Sequence, residues 1–164
     1  MKIVVISDTH IPDRAKELPQ RIVDEFKGAD LIIHAGDFTN KEVLEKLKSS
    51  AQVKAVHGNM DPIEIVAKLP RKEIVKCGKF NIGIFHGSGN PDGIVVQLQN
   101  EFQNDKVDII IFGHSHKPMN EKIGKILFFN PGSPTDKFFA PFNSFGIIEI
   151  NDKISAKIVK LEAR

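Results

Sequence analysis

Apolar residues in the first third of the chain fall into short continuous runs, and each run is followed by a glycine or a polar turn. Residues 2–7, 30–34 and 51–57 are runs of this kind and are rich in β-branched side chains. Such runs are typical of strands that are buried on both faces of a parallel sheet. Between the first two runs, the apolar positions of residues 18–27 recur every fourth residue, which predicts a crossover helix.

Two further helices are predicted from local signals. Thr39 and Glu42 have the spacing of a capping box, so a helix should begin at about Thr39. Another helix, further along the chain, should bury Val95, Leu98 and Phe102. Both helices would cover the face of a sheet, as helices do in α/β folds.

The second half of the chain alternates short apolar runs with turn residues, which predicts three β-hairpins. Their arms are residues 71–76 with 80–86, 118–123 with 126–130, and 144–150 with 153–161. A buried strand at residues 108–112 stands between the first two hairpins. We therefore expect an α/β sandwich whose first half is parallel and whose second half is antiparallel.

The composition argues against a nucleic-acid-binding, a disulfide-bonded and a membrane protein. A chain of 164 residues fits one domain, residues 1–164, and a net charge of only +2 with scattered lysines does not indicate a broad basic face for nucleic acid. Cys77 is the only cysteine, so no intramolecular disulfide can form and a reducing compartment is expected. The first apolar run is too short for a signal peptide, and no segment approaches the length of a membrane span. These features predict a cytoplasmic protein.

Side chains that can bind metals follow the predicted strands at the point where each strand ends. They are Asp8, His10, Asp37, Asn59, His86, His114 and His116. Because open α/β sheets place their sites at the carboxyl ends of strands, these side chains should converge. Seven ligands exceed what one ion takes and suit two divalent ions that share a bridging carboxylate. Mixed imidazole and carboxylate ligands favour Mn, Fe, Zn, Ni or Co over Ca or Mg.

A simpler interpretation is that these residues are polar strand ends that cap helices or satisfy backbone groups. So many acids and imidazoles in one place would be hard to satisfy without an ion, which favours the metal site. Asn59 alone is also typical of a turn. His34 and His57 precede the ligand turns and are interpreted as core histidines, or as residues behind the ligands that orient them. Cys77 is interpreted as an inert hairpin residue.

Five short motifs contain these candidates in order along the chain. They are Asp8-x-His10, Gly36-Asp37, Gly58-Asn59, His86-Gly87 and Gly113-His114-Ser115-His116. Together they resemble the five motifs of the calcineurin-like metallophosphoesterases. The short length and the Asn130-Pro131-Gly132-Ser133 turn resemble the compact bacterial and archaeal phosphodiesterase branch, which also includes the scaffold subunit of retromer.

The resemblance implies an αββα sandwich of two sheets with mixed parallel and antiparallel strands. It also implies a dinuclear centre that hydrolyses a small phosphate ester with a metal-activated water. One ion would lie on Asp8, His10, Asp37 and His116, and the other on Asp37, Asn59, His86 and His114, with Asp37 as the bridge. The implied catalytic residues are Asp37, Asn59 and His86, and manganese is the first candidate for the two divalent transition-metal ions.

Two positions depart from the family's pattern. Many of its phosphatases carry a histidine after the asparagine of the third motif, where it acts on the leaving group, whereas this chain has Met60, followed by Asp61. Close relatives often carry a further histidine two residues after the position of His86, where this chain has Ser88. The residue that protonates the leaving group is therefore open. Asp61 is either a partner that orients a ligand or a carboxylate that stabilises its turn.

The leading function is that of a phosphodiesterase or a phosphatase of low specificity, and two alternatives stand beside it. A catalytically weak protein-binding scaffold of the same fold would be expected to have a degraded ligand set, and a nuclease would be expected to carry a basic channel.

Apolar segments at residues 128–129 and 138–139, together with Phe142, predict a homodimer, because such a patch is unusual for a monomer.

Overall fold

The computed structural model describes residues 1–162, so the last two residues of the expected 1–164 domain lie outside the described part. Within residues 1–162, ten strands form two mixed sheets of five strands each. The strands are β1 (Lys2–Ile6), β2 (Leu31–His34), β3 (Val53–Ala55), β4 (Lys72–Cys77), β5 (Phe80–Phe85), β6 (Ile109–Ile111), β7 (Met119–Ile123), β8 (Ile126–Asn130), β9 (Ser144–Ile150) and β10 (Ile154–Lys160). The strand order is β10-β9-β1-β2-β3 in the first sheet and β4-β5-β6-β8-β7 in the second.

Helices cover the outer faces of the two sheets. The helices α1 (Gln20–Phe26), α2 (Lys41–Lys48) and α3 (Ile63–Val66) lie on the first sheet, and α4 (Ile94–Glu101) lies on the second. No helix within residues 1–162 is both long enough and apolar enough to cross a membrane.

Three apolar layers hold the sandwich together, one between the sheets and one under each set of helices. The alternation of side chains along β1 shows how one strand serves two layers. Ile3 and Val5 face the second sheet. Val4 and Ile6 face the helices of the first sheet. The expected αββα sandwich is confirmed.

Each sheet contains three adjacent parallel strands. These are β1, β2 and β3 in the first sheet and β5, β6 and β8 in the second. The expectation of an antiparallel second half is therefore wrong for its central strands, although the three predicted hairpins form as β4–β5, β7–β8 and β9–β10. Local hairpin signals do not specify which arm joins the sheet. Here β8 pairs with β6, with Phe128 opposite Ile110, and β7 is left at the edge.

The second helix begins later than the capping box predicts. Asn40, not Thr39, is its N-cap, because the Asn40 side-chain oxygen accepts a hydrogen bond from the Glu42 N–H at 2.8 Å. Thr39 has a left-handed φ of 66°, and its hydroxyl donates to the Ile11 carbonyl at 2.9 Å. Thr39 therefore ties the turn after β2 to the turn after β1.

Two other details of the helices differ from the expectations. In α4 the buried residues are Ile94 and Leu98, with Phe102 buried just past its end, whereas Val95 is only half-buried. The apolar stripe therefore starts one residue earlier than predicted. The sequence does not indicate α3, because four residues are too few to show a helical period.

The phenylalanines expected at the surface divide into two sets. Phe128 and Phe129 are fully buried in β8, and they point into the two layers on either side of the second sheet. The expectation of an exposed apolar segment there is wrong, since β8 is a central strand. Phe138 and Phe139 are exposed, and Phe142 is half-buried. Only this second set is left as the basis for a predicted homodimer.

Candidate metal centre

The carboxyl ends of β1, β2, β5 and β6 meet at one edge of the sandwich, and the turns that follow them carry most of the candidate ligands. Many of these residues adopt a left-handed backbone conformation, which residues other than glycine rarely adopt. The φ angles are 53° for Asp8, 41° for His10, 60° for Asp37, 66° for His114 and 55° for His116. Each such residue costs about 1–3 kcal/mol and persists only where the surrounding structure imposes it.

Hydrogen bonds between the turns impose this conformation. The Asp8 N–H donates to the Gly36 carbonyl at 2.9 Å, and the His10 N–H donates to the Asp37 carbonyl at 3.2 Å. The His114 N–H lies 3.2 Å from each carboxylate oxygen of Asp8. The turns after β1, β2 and β6 are therefore held as one unit.

Five of the candidate ligands are buried together in two overlapping groups. Asp8, His10 and His116 form the first group, and Asp8, Asp37 and His86 form the second, with one donor atom per residue within 4.8 Å of the others. His116 Nε2 lies 3.2 Å from Asp8 Oδ1 and 3.2 Å from His10 Nε2. Asp37 Oδ2 lies 3.2 Å from His86 Nε2 and 3.7 Å from His10 Nε2, so this carboxylate reaches both groups. The donor set suits a divalent metal.

His86 gives the most direct sign that a metal fits. Its Nδ1 lies 2.6 Å from the Ala35 carbonyl, which can only accept, so Nδ1 carries the proton. Its buried Nε2 has no hydrogen-bond partner and faces Asp37 Oδ2 and Asp8 Oδ1, at 3.2 and 3.8 Å. A buried polar atom without a partner is costly, and a metal ion would provide the missing partner.

Asn59 and His114 lie outside these two groups. The Asn59 side-chain oxygen is 3.0 Å from His114 Nδ1, and His114 Nε2 is 2.7 Å from the Gly89 carbonyl. Both side chains line the cavity over the buried cluster. Their roles as ligands stay a prediction.

The buried groups shift one another's protonation. Burial raises the pKa of the Asp8 carboxyl, but the hydrogen bond to His116 and the charges of His86 and His116 outweigh it and lower the pKa to about 2. Burial lowers the pKa of His86, but Asp37 and Asp8 outweigh it and raise the pKa to about 9. For His116, Asp8 and Asp136 likewise outweigh burial and raise the pKa to about 9. Asp8, Asp37 and Asp136 therefore favour positive charge at this place, which a divalent metal would also supply.

Asp61 stabilises the turns beneath the cluster. Its carboxylate accepts hydrogen bonds from four backbone N–H groups, those of Asp37, Phe38, Thr39 and Gly58, at 2.7 to 3.0 Å. The sequence leaves open whether Asp61 orients a ligand or stabilises a turn. Asp61 does both, because one of the turns that it stabilises carries the candidate ligand Asp37.

Asp136 is a residue of the candidate site that the sequence does not single out. It is buried, and its Oδ2 lies 2.5 Å from His116 Nδ1. Its carboxylate also accepts the N–H groups of Phe138 and Phe139, at 2.9 and 3.1 Å. The hydrogen bond to His116 and the backbone donors lower the pKa of Asp136 against the effect of burial. The only sequence signal is an acidic residue three positions after Ser133, whose hydroxyl accepts the Asp136 N–H at 3.0 Å.

The Asn-Pro-Gly-Ser turn joins the ligand turns from behind. The Asn130 side-chain N–H donates to the Gly113 carbonyl at 2.8 Å, and the Ser133 hydroxyl donates to the Asp8 carbonyl at 2.7 Å. The turn after β8 thus fixes the turns after β6 and β1 in relation to each other.

His34 and Cys77 have the structural roles expected of them. Burial lowers the pKa of His34 to about 3, and its ring contacts the Thr9 hydroxyl at 3.1 Å and accepts the Gly36 N–H at 3.1 Å. Cys77 is buried between the sheets, which raises the pKa of its thiol. His57 is half-buried, with Nδ1 3.3 Å from the Gly58 carbonyl.

A cavity of about 650 Å³ opens over the cluster. Candidates that line it are His10, Asp37, Asn59, His114 and His116. Met60 also lines it and is 59% exposed, so the residue in place of the family's histidine faces the site. Ser88 does not face the site, since its hydroxyl accepts from the Gln97 side chain at 3.0 Å.

A sandwich of two mixed sheets, with buried carboxylates and imidazoles gathered at the ends of its parallel strands, defines a metal-binding α/β protein. The model of the calcineurin-like phosphoesterase superfamily domain matches residues 1–153. The chain therefore belongs to the calcineurin-like phosphoesterase superfamily, as its five motifs predict.

Three similar proteins cover nearly the whole chain. A probable metallophosphoesterase of Methanocaldococcus jannaschii is 45% identical over 163 residues, which are 99% of this chain and 82% of that protein. Vacuolar protein sorting-associated protein 29 of Schizosaccharomyces pombe is 30% identical over 172 residues, covering 100% of this chain and 86% of that protein. The crystal structure of Vps29 from Entamoeba histolytica complexed with Zn²⁺ has a TM-score of 0.76 at 29% identity, covering 98% of this chain and 99% of that chain.

Proposed function

We propose that this protein is a metal-dependent phosphoesterase, either a phosphodiesterase or a phosphatase of low specificity, that hydrolyses small phosphate esters. The observation that carries the proposal is the unpartnered Nε2 of His86, which faces the carboxylates of Asp8 and Asp37. A divalent ion at this place would satisfy the ring nitrogen and both carboxylates. Bound ions would supply an activated water and neutralise charge on the phosphoryl oxygens.

We assign the candidate ligands to two neighbouring ions. The first would be held by Asp8, His10, Asp37 and His116, and the second by Asp37, Asn59, His86 and His114. Asp37 is the proposed bridge because its Oδ2 lies close to the ring nitrogens of both His10 and His86. Manganese is the first candidate metal, and Ni, Fe, Zn and Co suit the same donors. The Zn²⁺ complex of the Entamoeba relative supports a transition metal here.

The chain's own residues orient these donors. The Ala35 carbonyl holds the Nδ1 proton of His86, so that the Nε2 lone pair points at the cluster. Asp136 acts in the same way on His116. Asn59 and His114 lie together at the cavity wall, with the Asn59 side-chain oxygen 3.0 Å from His114 Nδ1.

The function is tested with protein stripped of metal and reloaded with Mn²⁺, Ni²⁺, Zn²⁺, Fe²⁺ or Co²⁺ in turn. Each form is assayed against phosphomonoesters, phosphodiesters and cyclic nucleotides. We expect hydrolysis that depends on the added metal and is lost on chelation. Full metal loading without hydrolysis of any ester would contradict the proposal.

Asp37→Asn tests the bridging role. Because this side chain is proposed to hold both ions, the variant should lose metal from both sites and lose activity while the apolar layers keep the fold intact. Elemental analysis and circular dichroism measure the two effects. Asp13→Asn is the matched control, since Asp13 is an exposed carboxylate that lines the same cavity outside the buried cluster. Two metals per chain and near-normal turnover in Asp37→Asn would be evidence against a dinuclear centre.

A protein-binding scaffold is the second candidate function. The similarity to vacuolar protein sorting-associated protein 29 favours it. The buried set of carboxylates and imidazoles supports a metal site under both candidates, since a Vps29 relative is itself complexed with Zn²⁺, and hydrolysis is the property that separates them. Metal binding without metal-dependent hydrolysis would favour the scaffold.

For either function we propose a cytoplasmic location, which the single buried cysteine suits.

A further inference from the structure

Two adjacent exposed phenylalanines, Phe138 and Phe139, form an aromatic rim beside the cavity over the buried ligand cluster, and only Phe139 lines the cavity itself. Phe139 lines the cavity, and its ring stands edge-on to the ring of His116, with centroids 6.1 Å apart and an angle of 74°. The two phenylalanines are 76% and 66% exposed. Adjacent phenylalanines this exposed need an explanation, because exposed apolar patches on soluble proteins are commonly binding sites.

Arg14 contacts both rings of the aromatic rim. Its guanidinium lies 5.1 Å from the centroid of Phe138 and 5.7 Å from that of Phe139, and it lines the same cavity. The Arg14 N–H donates to the His10 carbonyl at 2.7 Å, so a candidate ligand turn fixes the backbone of Arg14. Within residues 1–162 the guanidinium forms no salt bridge. A guanidinium that stacks on aromatic faces keeps its N–H edge available for a phosphate oxygen.

Hydrogen bonds fix the aromatic rim to the buried cluster of candidate ligands. The carboxylate of Asp136 accepts the N–H groups of Phe138 and Phe139 and also contacts His116. The Asn143 side chain donates to the Asp136 carbonyl at 2.6 Å, which fixes the other side of the loop. The same carboxylate therefore places an imidazole of the cluster and the backbone of both phenylalanines. A rim held in this way loses little conformational freedom when a ligand binds.

We propose that Phe139 and Arg14, with Phe138 packed against Arg14 from outside the cavity, form a subsite for a planar aromatic ring esterified to the phosphate, as in a nucleotide or an aryl phosphodiester. The inference rests on the proposed function, since the subsite lies beside the proposed reacting phosphate. The ring would stack on the exposed face of Phe139, and Arg14, with Lys117 on the same cavity wall, would complement the charge of the phosphate. Stacking on an aromatic side chain is expected to change affinity about tenfold.

Binding of phenylphosphonate and methylphosphonate tests the subsite without any chemical step. Both carry the same anionic group, and only the first carries a ring. Calorimetry on the Mn²⁺-loaded protein should give about tenfold tighter binding of phenylphosphonate. In Phe139→Ala the two affinities should become nearly equal. Phe142→Leu is the matched control, since Phe142 belongs to the same loop but does not line the cavity, and it should keep the preference.

Kinetics provide a second measurement. Bis-p-nitrophenyl phosphate and methyl p-nitrophenyl phosphate share a leaving group and a charge and differ only in the ester group that stays on phosphorus. The subsite predicts a lower KM for the diaryl ester and a loss of that KM difference in Phe139→Ala, and KM is the quantity compared because the second nitrophenyl group also activates phosphorus. Equal affinities for the two phosphonates together with normal hydrolysis would overturn the subsite and leave the phosphoesterase intact. A preference for phenylphosphonate in a protein that hydrolyses no ester would keep the subsite and overturn the phosphoesterase.

A second copy of the chain is the competing occupant of the aromatic rim, as in the homodimer predicted from the sequence. Light scattering at micromolar concentration separates the two. A monomer whose phenyl preference depends on Phe139 supports the subsite. A dimer that dissociates in Phe139→Ala, with the phenyl preference unchanged, would assign the rim to self-association and overturn the subsite.

Discussion

The imidazole of His116 and the carboxylate of Asp136 form a buried pair, with Nδ1 2.5 Å from Oδ2. The pair keeps the ring proton on Nδ1 and turns Nε2 toward Asp8 Oδ1, 3.2 Å away. A carboxylate behind a ligating imidazole fixes its tautomer and raises its basicity. We therefore expect Asp136 to position His116 for the first proposed ion without being a ligand itself.

Asp136→Asn should weaken metal binding about 10–100-fold, because an amide neither holds the imidazole as strongly nor raises its basicity. Calorimetric titration with Mn²⁺ measures the affinity, and the histidine signals in NMR spectra report the tautomer of His116. Asp152→Asn, a change to an exposed carboxylate in the turn between β9 and β10, is the control. Unchanged metal affinity in Asp136→Asn would show that the pair contributes only to folding.

Gly113 lies so close to the cluster that a methyl group would disturb it. A Cβ at this position would overlap Ser7 Oγ and stand 2.7 Å from Asp8 Oδ2 and 2.9 Å from His86 Nδ1. We expect Gly113→Ala to lower the free energy of unfolding by about 1–3 kcal/mol, as overpacking does, and to reduce metal content. Thermal melts and elemental analysis check both effects. Gly93→Ala, where a Cβ meets no atom within 4 Å, should leave metal content unchanged.

The buried His34 makes stability depend on pH in a defined window. Burial lowers its pKa from 6.5 to about 3 in the folded protein. Between these values the unfolded chain binds a proton that the folded chain does not, so stability falls as pH decreases from about 6.5 toward 3. For this one group, the loss between pH 7 and pH 5 is about 2 kcal/mol.

His34→Gln removes this titration. The variant has lower stability at pH 7, since the contacts to Thr9 and Gly36 change, but its free energy of unfolding should fall by about 2 kcal/mol less than that of the wild type between pH 7 and pH 5. Urea titrations of the metal-free proteins at both pH values measure the difference. Equal losses in the two proteins would mean that His34 titrates normally in the folded state.

The strand and hairpin signals predict most of the fold because they are local. The runs that became β1 and β2 are apolar on both faces, and turn residues separate the arms of each hairpin. The same signals cannot predict that β8 joins β6, because the partner of a strand depends on the whole sheet. For this reason Phe128 and Phe129, adjacent in sequence, were expected at the surface and lie in the core.

The candidate site also contains some features that the sequence predicts and others that only the folded structure shows. Residues that follow strands, such as Asp8 and His86, can be predicted because strand ends converge in α/β sheets. The left-handed backbone conformation of Asp8 and His116 cannot be predicted from the sequence, because contacts between separate turns impose it. Asp136 becomes important only when the chain folds back on His116 from 20 residues away. Its role is visible only in three dimensions.

Residue 60 is the position at which many family phosphatases carry the histidine that acts on the leaving group, and here it is Met60. The backbone N–H of Met60 donates to Asp37 Oδ1 at 2.8 Å, which fixes its main chain beside the cluster, and its side chain lines the cavity. Asp61, the next residue, has its carboxylate engaged by four backbone N–H groups. His57 does not line the cavity. Among the described residues, Met60 and no histidine therefore occupies the position of the family's histidine.

Met60→His tests this account. An alkoxide needs a proton to leave, and a positioned general acid contributes about 10²–10⁴-fold. The wild type should therefore hydrolyse aryl esters readily and alkyl esters slowly, with a steep dependence of log kcat/KM on the pKa of the leaving group. Met60→His should flatten that dependence by accelerating alkyl esters preferentially, whereas Met60→Leu, the control, should not. With metal content matched, a shallow slope in the wild type would mean that another residue already supplies the proton.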